Sequence, residues 1–183
     1  MKSLFILYIL AFLILMSCSD NSATQILKEE IKIDSILAMN SSFFGVDTSV
    51  LAQDVESDSI ITINEIISKQ NTLFFYFTFR HCDDCIKRIF RFFKNNPEYH
   101  NGNVTFISAA ENVRPLFVLK EQHNIVFPFY RIDSSAQLKH NAFQYHKPFF
   151  FKVKSGRLAS IHFINFNLPE LTVEYLETQE KML

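Results

Sequence analysis

Residues 73–85 read LFFYFTFRHCDDC. Leu73 to Phe79 is short, uncharged and free of Gly and Pro, which predicts a strand buried on both faces. Ile86, Ile89, Phe90 and Phe93 then recur at helical spacing, and Asn95-Asn96-Pro97 ends the helix. Two cysteines, Cys82 and Cys85, thus fall between a buried strand and an amphipathic helix. Cys82 is expected at the helix N-terminus, where unpaired N–H groups and the helix dipole favour a thiolate. Cys85 is expected one turn in, less exposed and near enough to close a disulfide. Such a pair can attack a substrate disulfide with its first thiolate and resolve the mixed disulfide with its second.

The same alternation extends downstream. Residues 103–110 (NVTFISAA) predict a strand, and 114–123 a helix with Leu116, Phe117 and Leu119 toward the sheet. Residues 125–132 (IVFPFYRI) predict a strand with Pro128 marking an edge or bulge. A short helix is expected over 134–143. Residues 148–153 and 158–164 then form a hairpin around Lys154-Ser155-Gly156-Arg157. Asn167 is read as the cap of a last helix running to Leu183, with Pro169 in its first turn. Upstream, 43–63 reads as loop and short strands, and 64–69 as a short helix capped by Asn64. Ile26, Leu27, Ile31, Ile33, Ile36 and Leu37 predict an amphipathic helix over 24–39. This order favours an α/β fold, a central mixed sheet flanked by helices on both faces, with an N-terminal helical extension.

Composition narrows the function. The 183 residues carry 18 basic and 19 acidic side chains, and a net charge of −1 argues against a nucleic-acid binder held by phosphate contacts. With 48% hydrophobic and 20% charged residues the chain is not disordered. Three glycines against 21 phenylalanines suit an aromatic core and not a glycine-loop phosphate site. Three cysteines are too few for a disulfide scaffold.

The N-terminus reads as an address. Lys2 precedes the uncharged run Leu4 to Met16, whose thirteen residues would rise about 20 Å as a helix, short of a bilayer core of about 30 Å. The run ends at Leu15-Met16-Ser17-Cys18, which resembles a bacterial lipobox. That resemblance implies a signal peptide over 1–17 and lipidation at Cys18. The rest of the chain is read as a tether and short amphipathic helix over 18–41, followed by a folded domain over 42–183. The protein would then sit in the cell envelope, periplasm-facing and lipid-anchored to a membrane, where disulfides are permitted. An uncleaved anchor helix is the alternative.

Over about residues 60–166 the chain resembles the thioredoxin-like superfamily, particularly membrane-anchored thiol–disulfide oxidoreductases of the TlpA/ResA type. The resemblance rests on the strand before Cys82, on the Cys82/Cys85 pair, and on YHKPFFFKVKSG at 145–156. In that family a cis-proline opens the final hairpin and faces the dithiol, with its backbone neighbour pairing with substrate. Pro148 and Lys147 match those positions. The resemblance implies catalysis by Cys82 and Cys85 through a redox disulfide between them. It further implies protein disulfide substrates in the envelope and electrons from a membrane redox donor; no organic cofactor or metal is expected.

The departures are His81 where the family usually has Trp, and Asp83-Asp84 where a proline-containing pair is usual. Tyr76 stands where thioredoxins bury a carboxylate, which leaves the proton acceptor for resolution unassigned; it is read as a core residue. Phe79 and Phe75 replace the Thr and Pro of peroxiredoxins, which disfavours peroxidase activity. His81, Asp83 and Asp84 are tuning candidates. The two carboxylates oppose a Cys82 thiolate, while Arg80, His81 and the helix end favour it, each by about one pKa unit, so the effects roughly cancel. A weakly acidified Cys82 implies a stable disulfide and a reductant. His81 otherwise reads as a polar residue at an exposed helix start. Two other readings stay open. His81, Cys82, Cys85 and His146 offer ligands for Cu(I) or Zn delivery, and a redox-inactive domain would only bind partners.

Overall fold

A computed structural model describes residues 28, 29, 32, 47, 49–68, 72–81, 83–97, 104–133, 147–154, 157–167 and 169–180. Contacts divide the chain into two units, Met1–Ile36 and Leu37–Leu183. In the first, Lys28, Glu29 and Lys32 are helical and exposed, within the helix expected over 24–39. The rest of that helix, the 4–16 run, Cys18 and the helix expected over 134–143 lie outside the described residues. No helix among the described residues is long and apolar enough to cross a membrane.

The second unit is built on strands β1 (Leu51–Asp54), β2 (Ile60–Thr62), β3 (Leu73–Thr78), β4 (Val104–Ala109), β5 (Phe129–Ile132), β6 (Phe149–Lys154) and β7 (Arg157–Phe163). Its helices are α1 (Ile63–Ile67), α2 (Asp83–Asn95), α3 (Arg114–His123) and α4 (Pro169–Glu180). The strands form one mixed sheet in the order β2-β1-β5-β4-β3-β6-β7. β3, β4 and β5 run parallel, while β1 and β6 join them antiparallel.

β3 is central and its side chains alternate. Leu73, Phe75 and Phe77 enter one core with Phe90, Phe93, Phe106, Phe129 and Phe150, while Phe74 and Tyr76 enter the other with Phe149 and Phe151. Phe75 lies 4.9 Å from Phe150 and 5.5 Å from Phe106, centroid to centroid. Phe74 lies 5.1 Å from Phe151 across the other face. Leu73 to Phe77 is thus covered on both sides, as expected, whereas Phe79, expected in the same buried strand, falls in the turn after Thr78 and is exposed. The parallel steps β3 to β4 and β4 to β5 move in one direction across the sheet, so right-handed crossovers put α2 and α3 on one face. Both feed the Phe90–Phe106 core, as does Leu176 of α4, while Ile63 and Ile66 of α1 cover the opposite face.

Local chemistry shifts some expected boundaries. The first short helix starts at Ile63, not Asn64, because Thr62 is the cap. Its backbone is extended, Glu65 N donates to Thr62 Oγ1 at 3.2 Å, and the hydroxyl donates to Glu65 Oε1 at 3.1 Å. Pro128 stands just outside β5, which starts at Phe129. Phe117, expected to face the sheet, is 42% exposed, and α3 meets the core through Leu116 and partly buried Leu119.

Candidate functional site

Chain direction gathers four segments at one edge of the sheet. The carboxyl ends of β3 and β4, the start of β6 and the end of β7 all lie there, because β6 runs antiparallel to β3, with Tyr76 opposite Phe149, and β7 antiparallel to β6. The cysteine-bearing segment leaves β3 at this edge, where open α/β sheets usually hold their ligands.

The turn after β3 is closed by reciprocal bonds. His81 N donates to Thr78 O at 3.0 Å, and Thr78 N donates to His81 Nδ1 at 3.1 Å. Arg80 N donates to Thr78 Oγ1 at 3.2 Å. These bonds fold the imidazole inward, so His81 is only 7% exposed, against the expectation of an exposed helix start. Its ring meets Tyr76 edge-on at 6.3 Å. Nδ1 acts as an acceptor, so the neutral ring carries its proton on Nε2. A neutral imidazole gives a neighbouring thiolate a dipole and not a full charge.

α2 opens at Asp83. Asp83 and Asp84 are exposed in its first turn, where the helix dipole favours carboxylates. Asp83 pairs with Lys87 one turn on. The hydrogen bond and charge of Asp83 hold the Lys87 ammonium above its ordinary pKa. Cys85, the third residue of α2, is buried at 4% exposure and disulfide-bonded. The other cysteines, Cys82 and Cys18, lie outside the described residues. Tyr76 is buried, and desolvation pushes its hydroxyl well above the ordinary tyrosine range. It is a neutral core residue and does not replace a carboxylate as proton acceptor.

Pro148 is buried immediately before β6, and its carbonyl accepts from Ile164 N at 3.0 Å. It therefore sits at the same sheet edge as the β3–α2 turn, with half-buried Lys147 beside it. One expectation is corrected. No peptide bond between described residues is cis, so the Lys147–Pro148 bond is trans. The trans form is the default for X–Pro by about 0.5–1 kcal/mol, and pairing with Ile164 anchors the strand start without the cis bond. Among the described residues no three His, Cys, Asp or Glu side chains come together as a metal site. Cys82 and His146 of the metal reading lie outside them.

Two residues of this edge were not singled out from sequence. Arg131 of β5 donates from Nε to Ala110 O at 2.9 Å and from Nη2 to Glu111 O at 2.6 Å, pinning the loop between β4 and α3. An arginine inside the apolar run IVFPFYRI was the available signal. Asn165, just after β7, is 4% exposed; its Oδ1 accepts from Asn167 N at 3.0 Å. Its Nδ2 is without a partner among the described residues. The edge also carries an open groove of about 460 Å³ whose apolar walls are Phe79, Pro115, Val118 and Leu119.

No family model matches the chain. No curated protein matches it either. Solved structures do. An uncharacterized thioredoxin-like protein from Porphyromonas gingivalis aligns with a TM-score of 0.53 at 13% identity, over 73% of this chain and 90% of the other. A candidate protein disulfide isomerase from Bacteroides thetaiotaomicron gives 0.51 at 11% identity, over 75% and 93%. A candidate thiol:disulfide interchange protein DsbE from Chlorobium tepidum gives 0.51 at 10% identity, over 75% and 98%. With the central mixed sheet and its flanking helices, these likenesses establish a thioredoxin-like fold.

Proposed function

We propose that this chain is a thiol–disulfide oxidoreductase of the cell envelope that reduces protein disulfides through Cys82 and Cys85. The observation that carries the reading is the disulfide at Cys85, buried in the first turn of α2 at the carboxyl edge of a thioredoxin-like sheet. Its partner in this reading is Cys82, three residues away.

The reduced dithiol acts in two displacements. The Cys82 thiolate attacks a substrate sulfur; the substrate S–S bond breaks, a mixed disulfide forms and one substrate thiolate leaves. The Cys85 thiolate then attacks Cys82 sulfur, which releases the second substrate thiolate and leaves the Cys82–Cys85 disulfide. The substrate gains two electrons and the enzyme loses two. A membrane redox donor restores the dithiol, and Lys147 and Pro148 position the substrate chain at the sheet edge. Lipidation at Cys18 holds the domain at the membrane. Neutral His81 and the carboxylates Asp83 and Asp84 leave Cys82 weakly acidified, which favours reduction over oxidation.

The test is reduction of insulin by the dithiol form, with Cys82→Ser and Cys85→Ser beside it. Both variants lose turnover by at least about a thousandfold, and Cys85→Ser accumulates mixed disulfides whose captured partners identify the substrates. Unchanged insulin reduction in either variant overturns the reading. A reduction potential near that of the strongest envelope oxidants, about −120 mV, overturns the direction.

A further inference from the structure

We infer that the groove beside the turn after β3 receives an apolar side chain of the substrate polypeptide, with a carboxylate of the same polypeptide seated on Arg114. The inference rests on the redox reading above and adds what the substrate must carry.

The groove lies on the β4 side of β3, away from Pro148, which enters from the β6 side. One wall is Phe79, the residue that follows Thr78 at the end of β3. The other is the first two turns of α3, through Pro115, Val118 and Leu119. Phe79 is 51% exposed and Val118 41% exposed, so the walls are wet apolar surface that an occupant would dry. The volume of about 460 Å³ is within the range of sites that enclose a ligand or a few side chains.

Reach identifies the occupant. Phe79 and Cys82 are three residues apart, so their α-carbons are separated by at most about 11 Å. An extended substrate residue two or three positions from its own cysteine spans about 7–11 Å. One polypeptide can therefore present its sulfur to Cys82 and lay a neighbouring side chain on Phe79. Charge sets the second requirement. The ion pairs among the described residues use Lys87, Lys120 and Arg131. Arg114, exposed on the groove, is in none of them, and exposed Arg80 follows Phe79 directly. Asp83, at the start of α2, is already committed to Lys87. An acidic residue beside the apolar one complements this surface.

The probes are short peptides whose single cysteine is blocked as a thionitrobenzoate mixed disulfide. The full-chain protein, in dithiol form, releases the coloured thiolate. One peptide carries Leu-Glu two and three positions from the cysteine, a second Leu-Lys and a third Gly-Gly. The Leu-Glu peptide is expected to react about tenfold faster than Gly-Gly, equivalent to about 1.4 kcal/mol, with Leu-Lys between them. Arg114→Glu is expected to reverse the Glu-over-Lys order, and Val118→Asp to remove the preference for Leu. Equal rates for all three peptides overturn the inference, as does a preference that survives both substitutions. A dimer that Val118→Asp dissociates gives the groove to a second copy of the chain and also overturns it. If the wild type releases no thiolate from any peptide or from a plain aromatic disulfide, the redox reading itself falls, and this inference with it.

Discussion

The two flanks of β3 differ in kind. On the β6 side the edge is sealed: Phe149 and Phe150 are buried, Pro148 is buried behind them, and Pro148 O and Ile164 N close the hairpin. On the β4 side it is open: Phe79, Phe117 and Val118 are 51%, 42% and 41% exposed. A thioredoxin-like sheet exposes its dithiol between these flanks in the proposed function, so one flank supplies rigidity and the other supplies surface. Backbone pairing does not make the difference, since β4 and β6 both pair with β3; what packs beyond each strand does. β6 completes the core with its side chains, whereas α3 reaches the sheet through Leu116 and leaves its outer residues to solvent.

The sharpest way to break this contrast is Phe150→Ala. Phe150 is fully buried, 4.9 Å from Phe75, 6.0 Å from Phe93 and 6.2 Å from Tyr175 by ring centroids. Truncation leaves a cavity among aromatic rings that β-pairing on both sides prevents from collapsing. A loss of about 3–5 kcal/mol is expected, read from urea unfolding. A loss below about 1 kcal/mol would mean that the β6 flank is not sealed.

The same contrast explains what could be read from sequence. β3 was legible because its positions from Leu73 to Phe77 are all aliphatic or aromatic, so either face satisfies the pattern and no register has to be chosen. α2 was legible because Ile86, Ile89, Phe90 and Phe93 repeat at one period and all four are buried. α3 was legible as a helix, yet Phe117 was placed on the wrong side. Its neighbours Leu116, Val118 and Leu119 are apolar as well, and four consecutive apolar residues span every face of a helix, so they do not reveal which stripe is covered. The inward turn of His81 depends on its bonds to Thr78, a local backbone event that composition does not signal. The trans bond at Pro148 departs from what the family resemblance implied, and the role of Arg131 depends on two carbonyls twenty residues away in the chain. The groove joins Phe79 to residues 112–122, a juxtaposition created only by the β3–β4 pairing.

A pH experiment tests the outer part of the sealed flank. His162 of β7 contacts Thr172 Oγ1 at 3.1 Å and stacks on Tyr175 at 4.5 Å, and burial pushes its pKa down to about 4. The sign follows from proton binding. Between pH 6.5 and 4 the unfolded chain protonates this imidazole and the folded chain does not, so stability is full above 6.5 and falls as pH drops toward 4. From pH 7 to pH 5 this residue should remove about 1–2 kcal/mol. His123 on α3 is also held below its ordinary value, first by burial, and adds a slope of the same sign. His162→Phe should flatten only the first contribution, so the comparison is between variant and wild type across that window. Identical slopes would place His162 in solvent.

On the open flank, Arg131→Met asks what fixes the loop that carries the groove. The substitution keeps most of the stem but leaves Ala110 O and Glu111 O without their donors. Hydrogen bonds from a charged group contribute about 1.5–3 kcal/mol each when buried and less near solvent. A total loss of about 1–2 kcal/mol is expected, accompanied by faster amide exchange over residues 111–113. Unchanged exchange there would show that α3 holds its own start.

The smallest expected effect is the most specific. Phe79→Ser removes a large aromatic side chain, which in a core would cost several kcal/mol. Half of Phe79 is in water, and its ring meets Phe77 only edge-on at 6.4 Å. The exposed part of the ring gains little on folding, and serine at a turn position incurs no backbone penalty. Stability should therefore change by no more than about 0.5 kcal/mol. A loss above about 2 kcal/mol would mean that Phe79 closes over the groove in solution and belongs to the core, and the two flanks of β3 would then be alike. A small loss keeps the ring available for contacts other than the fold's own, because surface that contributes nothing to folding is free to contribute to binding.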